Sequence, residues 1–185
     1  ERIARYGALP EEIMAFAKTK PMLRLQNVGM NCGCEYTASP LYRTAQPYSR
    51  CLHSLGAAAI VWHFTKDTAQ SLSALFHDIA TPVFAHVVDF LNGDHLTQES
   101  TEAPTHEILA KDAAIQTLLA ELRLTTADVD DYHRYPIADN DSPRLSSDRL
   151  EYTLGNAHRT FGVTLDEISA VFENLFVAPA EDGLP

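Results

Sequence analysis

Cysteine, tryptophan and basic residues are scarce in this chain, and long apolar runs are missing. Three cysteines, an odd number, build no disulfide framework and suit a reducing cytoplasm. Cys32-Gly33-Cys34 has no second cysteine pair, so it reads as small residues in a loop rather than half of a structural zinc site. Nothing approaches the roughly 18 apolar residues of a membrane span. The longest apolar stretch, around Leu55 to Phe64, is broken by Gly56 and His63. Only 14 Lys and Arg stand against 25 Asp and Glu, a net charge of −11. That argues against nonspecific nucleic-acid binding, which depends on a basic surface. It leaves room for a nucleotide substrate, because a bound metal and a few local arginines reverse the potential inside a pocket. No signal peptide is visible, and the opening at Glu1 rather than Met is compatible with a segment upstream.

The 185 residues, 45% hydrophobic and 21% charged, fit one domain over 1–185 that buries its own core. Sustained strand alternation is absent, whereas helical spacing recurs. Leu72, Leu75, Phe76 and Ile79 fall on one helical face, as do Leu165, Ile168, Val171, Phe172 and Leu175. Thr164 and Glu167 stand in capping-box register at the start of the last helix. Helices are expected over about 10–20, 49–66, 69–79, 82–92, 105–122, 145–158 and from 165 onward. Residues 27–48 and 132–147 read as irregular, and the second is of a length more often functional than idle. The fold class is all-α, a helical bundle.

His77-Asp78 closes one apolar helix, His53 lies upstream and Asp148 far downstream. Two imidazoles and two carboxylates suit one divalent metal with open positions, and such a site activates water. If helix 49–66 turns near Asp67 and returns as 69–79, His53 and His77 stand about 21 and about 15 Å from the turn, at the same end of the hairpin. Pro82 helps to end the second helix after Asp78. Asp148 falls in the first turn of a helix capped by Ser146 or Ser147, where its side chain can face the open end of that hairpin.

The order His, His-Asp, Asp in a helical setting resembles the HD-domain metal-dependent phosphohydrolases. Arg50-Cys51-Leu52-His53-Ser54-Leu55-Gly56 is similar to the Arg-Phe-x-His-Ser-x-Gly segment of their deoxynucleoside triphosphate triphosphohydrolase branch. The run from Leu75 to His86 resembles that branch's Leu-Leu-His-Asp-Ile-Gly-His-x-Pro-Phe-Ser-His, and Ser147 to Tyr152 its Val-Asp-Arg-Leu-Asp-Tyr helix. The likeness covers about residues 25 to 158 and implies an HD-domain helical bundle. By it, His53, His77, Asp78 and Asp148 would bind one divalent ion, with Mn, Mg, Zn, Fe, Co and Ni not distinguished. His86 would stand as a catalytic histidine, and His106 with Glu107 as a second histidine and its acid. Arg50 and Arg149 would reach phosphate oxygens, for which a guanidinium fork is suited, and Tyr152 would line a sugar pocket. The chain departs from the branch at Ala80-Thr81, where Gly-His is expected, and at Gly155-Asn156, in place of an Arg-Asp pair.

The expected activity is hydrolysis of a phosphate ester or anhydride, with a small phosphorylated molecule, a nucleotide or deoxynucleotide, as partner. A cytoplasmic protein without membrane or nucleic-acid partners is expected, and a homo-oligomer is left open. Two other readings stand beside this one. Histidines such as His86 and His106 could hold a second metal for phosphodiesterase or oxygenase chemistry. Alternatively, the site is catalytically weak and the protein a nucleotide-binding regulator.

Overall fold

The computed structural model describes residues 6–43, 48–93, 104–141 and 143–179, with only the backbone of Leu41, Arg43 and His86. Helices α1 (Glu11–Phe16), α2 (Lys20–Arg24) and α3 (Pro40–Arg43) lead into the long α4 (Arg50–Thr65) and α5 (Thr68–Phe76). After them come α6 (His86–Leu91), α7 (Thr105–Lys111), α8 (Ala113–Glu121), α9 (Ser147–Phe161) and α10 (Leu165–Glu173). The all-α expectation holds: among the described residues no strand forms, and one antiparallel bridge joins Gly29 to Ser49. No helix among them is long and apolar enough to cross a membrane.

Helix α4 is the axis of the bundle. Ser49 caps its start by accepting from the Leu52 amide, and Lys66 ends it in a left-handed conformation at φ 54°. Asp67 then caps α5 through the Gln70 amide, so the chain reverses across two residues, where the sequence placed the turn. The small residues Ala57, Ala58 and Ala59 are all buried and let neighbouring helices approach α4 from several sides. Leu72, Leu75, Phe76 and Ile79 of the second arm are fully buried with Phe16, Met22 and Leu109. Each such side chain contributes about 1.5–3 kcal/mol of burial.

On the opposite side α9 packs along α4, and α10 closes over both through Ile168 and Phe172 against Tyr6, Ile60 and Leu154. The capping box of α10 is formed as expected, although Val171 is exposed and the buried face is narrower than the periodicity suggests.

Three expected helices are shorter, and the first, anticipated over 10–20, ends at Phe16 before a separate α2 begins at Lys20. The helix anticipated over 105–122 divides at Asp112, which leaves helical geometry and caps α8 by accepting from the Ala114 and Ile115 amides. The helix anticipated from 82 starts only at His86, because residues 83–85 form a turn in which Ala85 adopts φ 43°.

Candidate metal centre

Helix α5 ends at Phe76, and His77 to Ala80 continue as turns. This ending sends the His77 and Asp78 side chains, which diverge on a continuous helix, toward one place. The open carbonyls of the turn are held by Arg24 of α2, whose guanidinium donates to the carbonyl oxygens of Ile79 at 2.8 Å and Thr81 at 2.9 Å. Burial lowers the Arg24 pKa and the nearby Asp78 carboxylate opposes that shift. Arg24 stands far from the motif in sequence, and nothing in the residue pattern marked it.

His53, one turn into α4, and His77 face each other with their Nε2 atoms 3.2 Å apart. Each ring is fixed from behind. His77 Nδ1 donates to the Ala74 carbonyl at 2.6 Å, and His53 Nδ1 donates to Glu151 Oε2 at 2.7 Å. With both Nδ1 atoms acting as donors, both Nε2 lone pairs point into the same space. Asp148 Oδ1 closes that space, 2.8 Å from His53 Nε2 and 3.6 Å from His77 Nε2. Asp78 adds Oδ2 at 3.3 and 3.9 Å from the His77 and His53 Nε2 atoms. Its Oδ1 accepts from Arg50 and from the Thr81 hydroxyl, whereas Oδ2 is buried without a hydrogen-bond partner among the described residues.

This arrangement fits a divalent ion. Two lone pairs 3.2 Å apart match the span of two nitrogens that each ligate one ion at about 2.0–2.1 Å. The carboxylate oxygen left unpaired beside them is placed to serve as a further anionic ligand, and a buried unpaired oxygen is otherwise costly. The carboxylate behind His53 and the carbonyl behind His77 are the outer partners that fix the tautomer of metal-binding imidazoles. His53, His77 and Asp148 form the one cluster of three metal-ligating side chains among the described residues. Cys32 and Cys34 belong to no such cluster.

Without an ion, protons supply the positive charge that this ligand set demands. Burial alone would depress His53, but Asp148 and Glu151 outweigh it and hold the imidazole up at about 10. His77 also rises against burial, through Asp78 and Asp148. Burial likewise opposes charge on Asp78 and Asp148. Arg50 and His77 nevertheless hold Asp78 well below the usual carboxylate range, and His53 lowers Asp148.

Glu151 is the residue that sequence reasoning missed. It is fully buried, accepts from the Tyr48 hydroxyl as well as from His53, and lies on α9 one turn after Asp148. Its place depends on Gly56 of α4: a Cβ there would lie 2.5 Å from Glu151 Cγ and 2.6 Å from its Oε1. The histidine and glycine of the first motif thus face the two acids of α9. The signal was present in Ser147–Tyr152, but an Asp occupies the matching position of the resembling motif and drew no role.

The four expected ligands converge on a cavity of 250 Å³ that Met30, Arg50, Tyr132, Tyr152 and Asn156 complete. Arg50 and Tyr152 are therefore at the site. Arg50 gives one arm to Asp78 and keeps its Nε buried without a hydrogen-bond partner among the described residues. Tyr132 and Met30 were not singled out, although both lie in the irregular segments marked by the sequence. The Tyr132 ring centroid stands 5.4 Å from that of His77. Thr81, where the resembling branch has a histidine, donates its hydroxyl to Asp78 at 2.8 Å.

Other expected residues stand elsewhere. Arg149 does not line the cavity: its guanidinium binds Asp139 at 3.0 Å, the Arg144 carbonyl at 2.9 Å and Asn140, because the polar loop folds back onto α9. His106 is largely exposed and pairs with Asp130, and Glu107 pairs with Lys111 one turn along α7. His86 opens α6, and its side chain lies outside the described residues.

No family model and no solved structure matches the chain. Among curated proteins it is similar to the metal-dependent phosphohydrolase cns2 of the fungus Cordyceps militaris. The two are 24% identical over 161 residues, 85% of this chain and 44% of the relative. It is also similar to the uncharacterized protein YdhJ of Bacillus subtilis, 23% identical over 176 residues, 92% of this chain and 50% of that protein. The chain spans about half the length of the curated relatives it matches. These likenesses support an HD-like superfamily and do not single out the triphosphohydrolase branch within it.

Proposed function

We propose that this protein is a metal-dependent phosphohydrolase of the HD type, acting on a phosphate ester or anhydride. The observation that carries this reading is the pair of opposed Nε2 atoms, each backed by a fixed acceptor, beside the unpaired Oδ2 of Asp78. The printed name of the Cordyceps relative supports the same chemistry.

His53, His77, Asp78 and Asp148 would hold one divalent ion, whose contribution when bound is Lewis acidity, which acidifies water and polarises a phosphoryl oxygen. Glu151 raises the basicity of His53 through its Nδ1 proton, and Ala74 orients His77. Arg50 binds Asp78 with one nitrogen and has its Nε free to donate to a phosphate oxygen at the cavity. Tyr152 and Asn156, one turn apart on α9, offer the rest of the substrate an aromatic face and an amide. Those two residues, with Tyr132 opposite, support a nucleotide as the substrate class.

The test is a phosphate-release screen with Mn²⁺, Mg²⁺, Co²⁺ and Ni²⁺, run on nucleoside mono- and triphosphates and on simple phosphate esters. Metal content is measured on the same protein. One ion per chain and turnover that Asp78→Ala abolishes are expected. Two tightly bound irons per chain, or activity that survives Asp78→Ala, would sink the proposal.

One observation favours a second reading, a nucleotide-binding regulator with weak catalysis. The Thr81 hydroxyl is engaged by Asp78, and among the described residues the cavity is lined by no histidine beyond the two ligands. Nucleotide-dependent thermal stabilisation of metal-replete protein without turnover would select it.

A further inference from the structure

A second cavity stands against the back of the metal centre, with the bridged segments around Gly29 and Ser49 as the wall between them. Met30 and Arg50 line the metal cavity, whereas Gly29, Asn31 and Ser49 line this one. It measures 420 Å³, within the range of about 300–1,000 Å³ that small-molecule sites occupy. Its walls include three tyrosines, Tyr36, Tyr42 and Tyr48, together with Glu35 and Arg159.

Glu35 defines what the cavity would accept. Its Oε2 is buried and has no hydrogen-bond partner among the described residues. The carboxylate lies directly on the backbone of Gly29, where an added Cβ would overlap Oε1. A carboxylate in the wall of a cavity favours a ligand that donates hydrogen bonds to it. The surrounding tyrosines add aromatic faces, which attract cations. The molecule already shows such a contact in this wall: the Arg159 guanidinium stands 4.4 Å from the centroid of the Tyr48 ring. Arg159 sets one positive charge against Glu35 in the wall, while the net charge of −11 draws cations toward the chain as a whole.

We propose that this cavity is a second ligand site, selective for a small organic cation with paired N–H donors, amidinium or guanidinium in type. A planar two-donor fork meets both the shape and the charge of a carboxylate, and its face stacks on tyrosine. Gln26, Asn27 and Asn31 also line the cavity. The site does not depend on the phosphohydrolase reading, because no group in it is a proposed metal ligand.

The experiment is calorimetric titration of the full, metal-loaded chain with benzamidine, with benzamide as the neutral analogue and inorganic phosphate as the anionic control. Saturable one-to-one binding of benzamidine is expected, with benzamide at least tenfold weaker and phosphate without effect on it. Glu35→Gln weakens benzamidine at least tenfold, and Gly29→Ala, whose methyl displaces the Glu35 carboxylate, does the same. Asp78→Ala retains benzamidine binding, so a failure of the metal centre and a failure of this site are told apart. Equal affinity for benzamidine and benzamide overturns the proposal on the wild-type protein alone. So does an absence of saturable binding, an unchanged affinity in folded Glu35→Gln, loss in Asp78→Ala, or displacement of benzamidine by Mn²⁺ in that variant.

Discussion

Replacing Glu151 by Gln separates the charge behind His53 from the shape that holds it. Glu151 Oε2 accepts from both His53 Nδ1, at 2.7 Å, and the Tyr48 hydroxyl. A glutamine with its carbonyl oxygen in that place satisfies both donors, and the fully buried side chain keeps its volume. What is lost is the negative charge that makes the imidazole a stronger ligand. Removing an outer partner of a metal-binding histidine typically lowers affinity about 10–100-fold, or about 1.4–2.7 kcal/mol. Because both hydrogen bonds survive, the lower end, about tenfold, is expected here. Competition titration against a chromophoric chelator at fixed pH measures the affinity, and the melting temperature of the ion-free variant checks the fold. A folded Glu151→Gln protein that binds the ion as tightly as wild type would show that this carboxylate has no part in the centre.

Gly56→Ala approaches the same carboxylate from the other helix. The new methyl meets three side-chain atoms of Glu151 at 2.5–2.8 Å, so both metal affinity and stability fall, the latter by about 1–3 kcal/mol in chemical denaturation. Arg24→Met removes two charge-assisted bonds to the turn after Asp78 and, at an exposed side chain, costs about 1 kcal/mol. Metal affinity drops with it if that turn is held from α2, and an unchanged affinity would show that the turn holds itself. The pH response has a defined sign. His53 is raised to about 10 in the ion-free protein, so its contribution is complete below the ordinary value of about 6.5 and is lost as pH rises through about 10. Melting curves should therefore show the gap between metal-loaded and ion-free protein widening from pH 7 toward pH 10; a gap that narrows would contradict the assignment.

Much of the bundle was legible because α4, α5 and α10 announce themselves by caps and period. Thr164 starts α10 where the capping box predicts, and the turn at Lys66–Asp67, expected near Asp67, fixes the hairpin that brings His53 to His77. The break at Asp112 was not legible, since alanine-rich flanks read as one helix and the competing side-chain cap is a local choice. At the site, the four candidate ligands followed from residue order and resemblance. Glu151 did not, because a buried acid on a helix looks like any solvated acid until the facing Gly56 is known. Arg149 misled for the opposite reason: an arginine beside a ligand suggests phosphate, yet its partners Asp139 and Asn140 lie in a loop whose course no periodicity reveals.

Gly56 and Glu151 also bear on how α9 is aligned against α4. His53 and Gly56 are separated by three positions on one helix, and Asp148 and Glu151 by three on the other; histidine meets both acids, and glycine receives the second. Apolar ridges tolerate a slip, since a similar groove recurs about every turn. This contact does not, because moving either helix by one residue slides it about 1.5 Å and turns it about 100°, which breaks every pairing together. The two helices therefore hold a single registration, set by four polar or small residues rather than by the leucines around them. A one-residue insertion between Asp148 and Glu151 would leave the hydrophobic pattern of α9 nearly intact and still disconnect the bundle from its own centre.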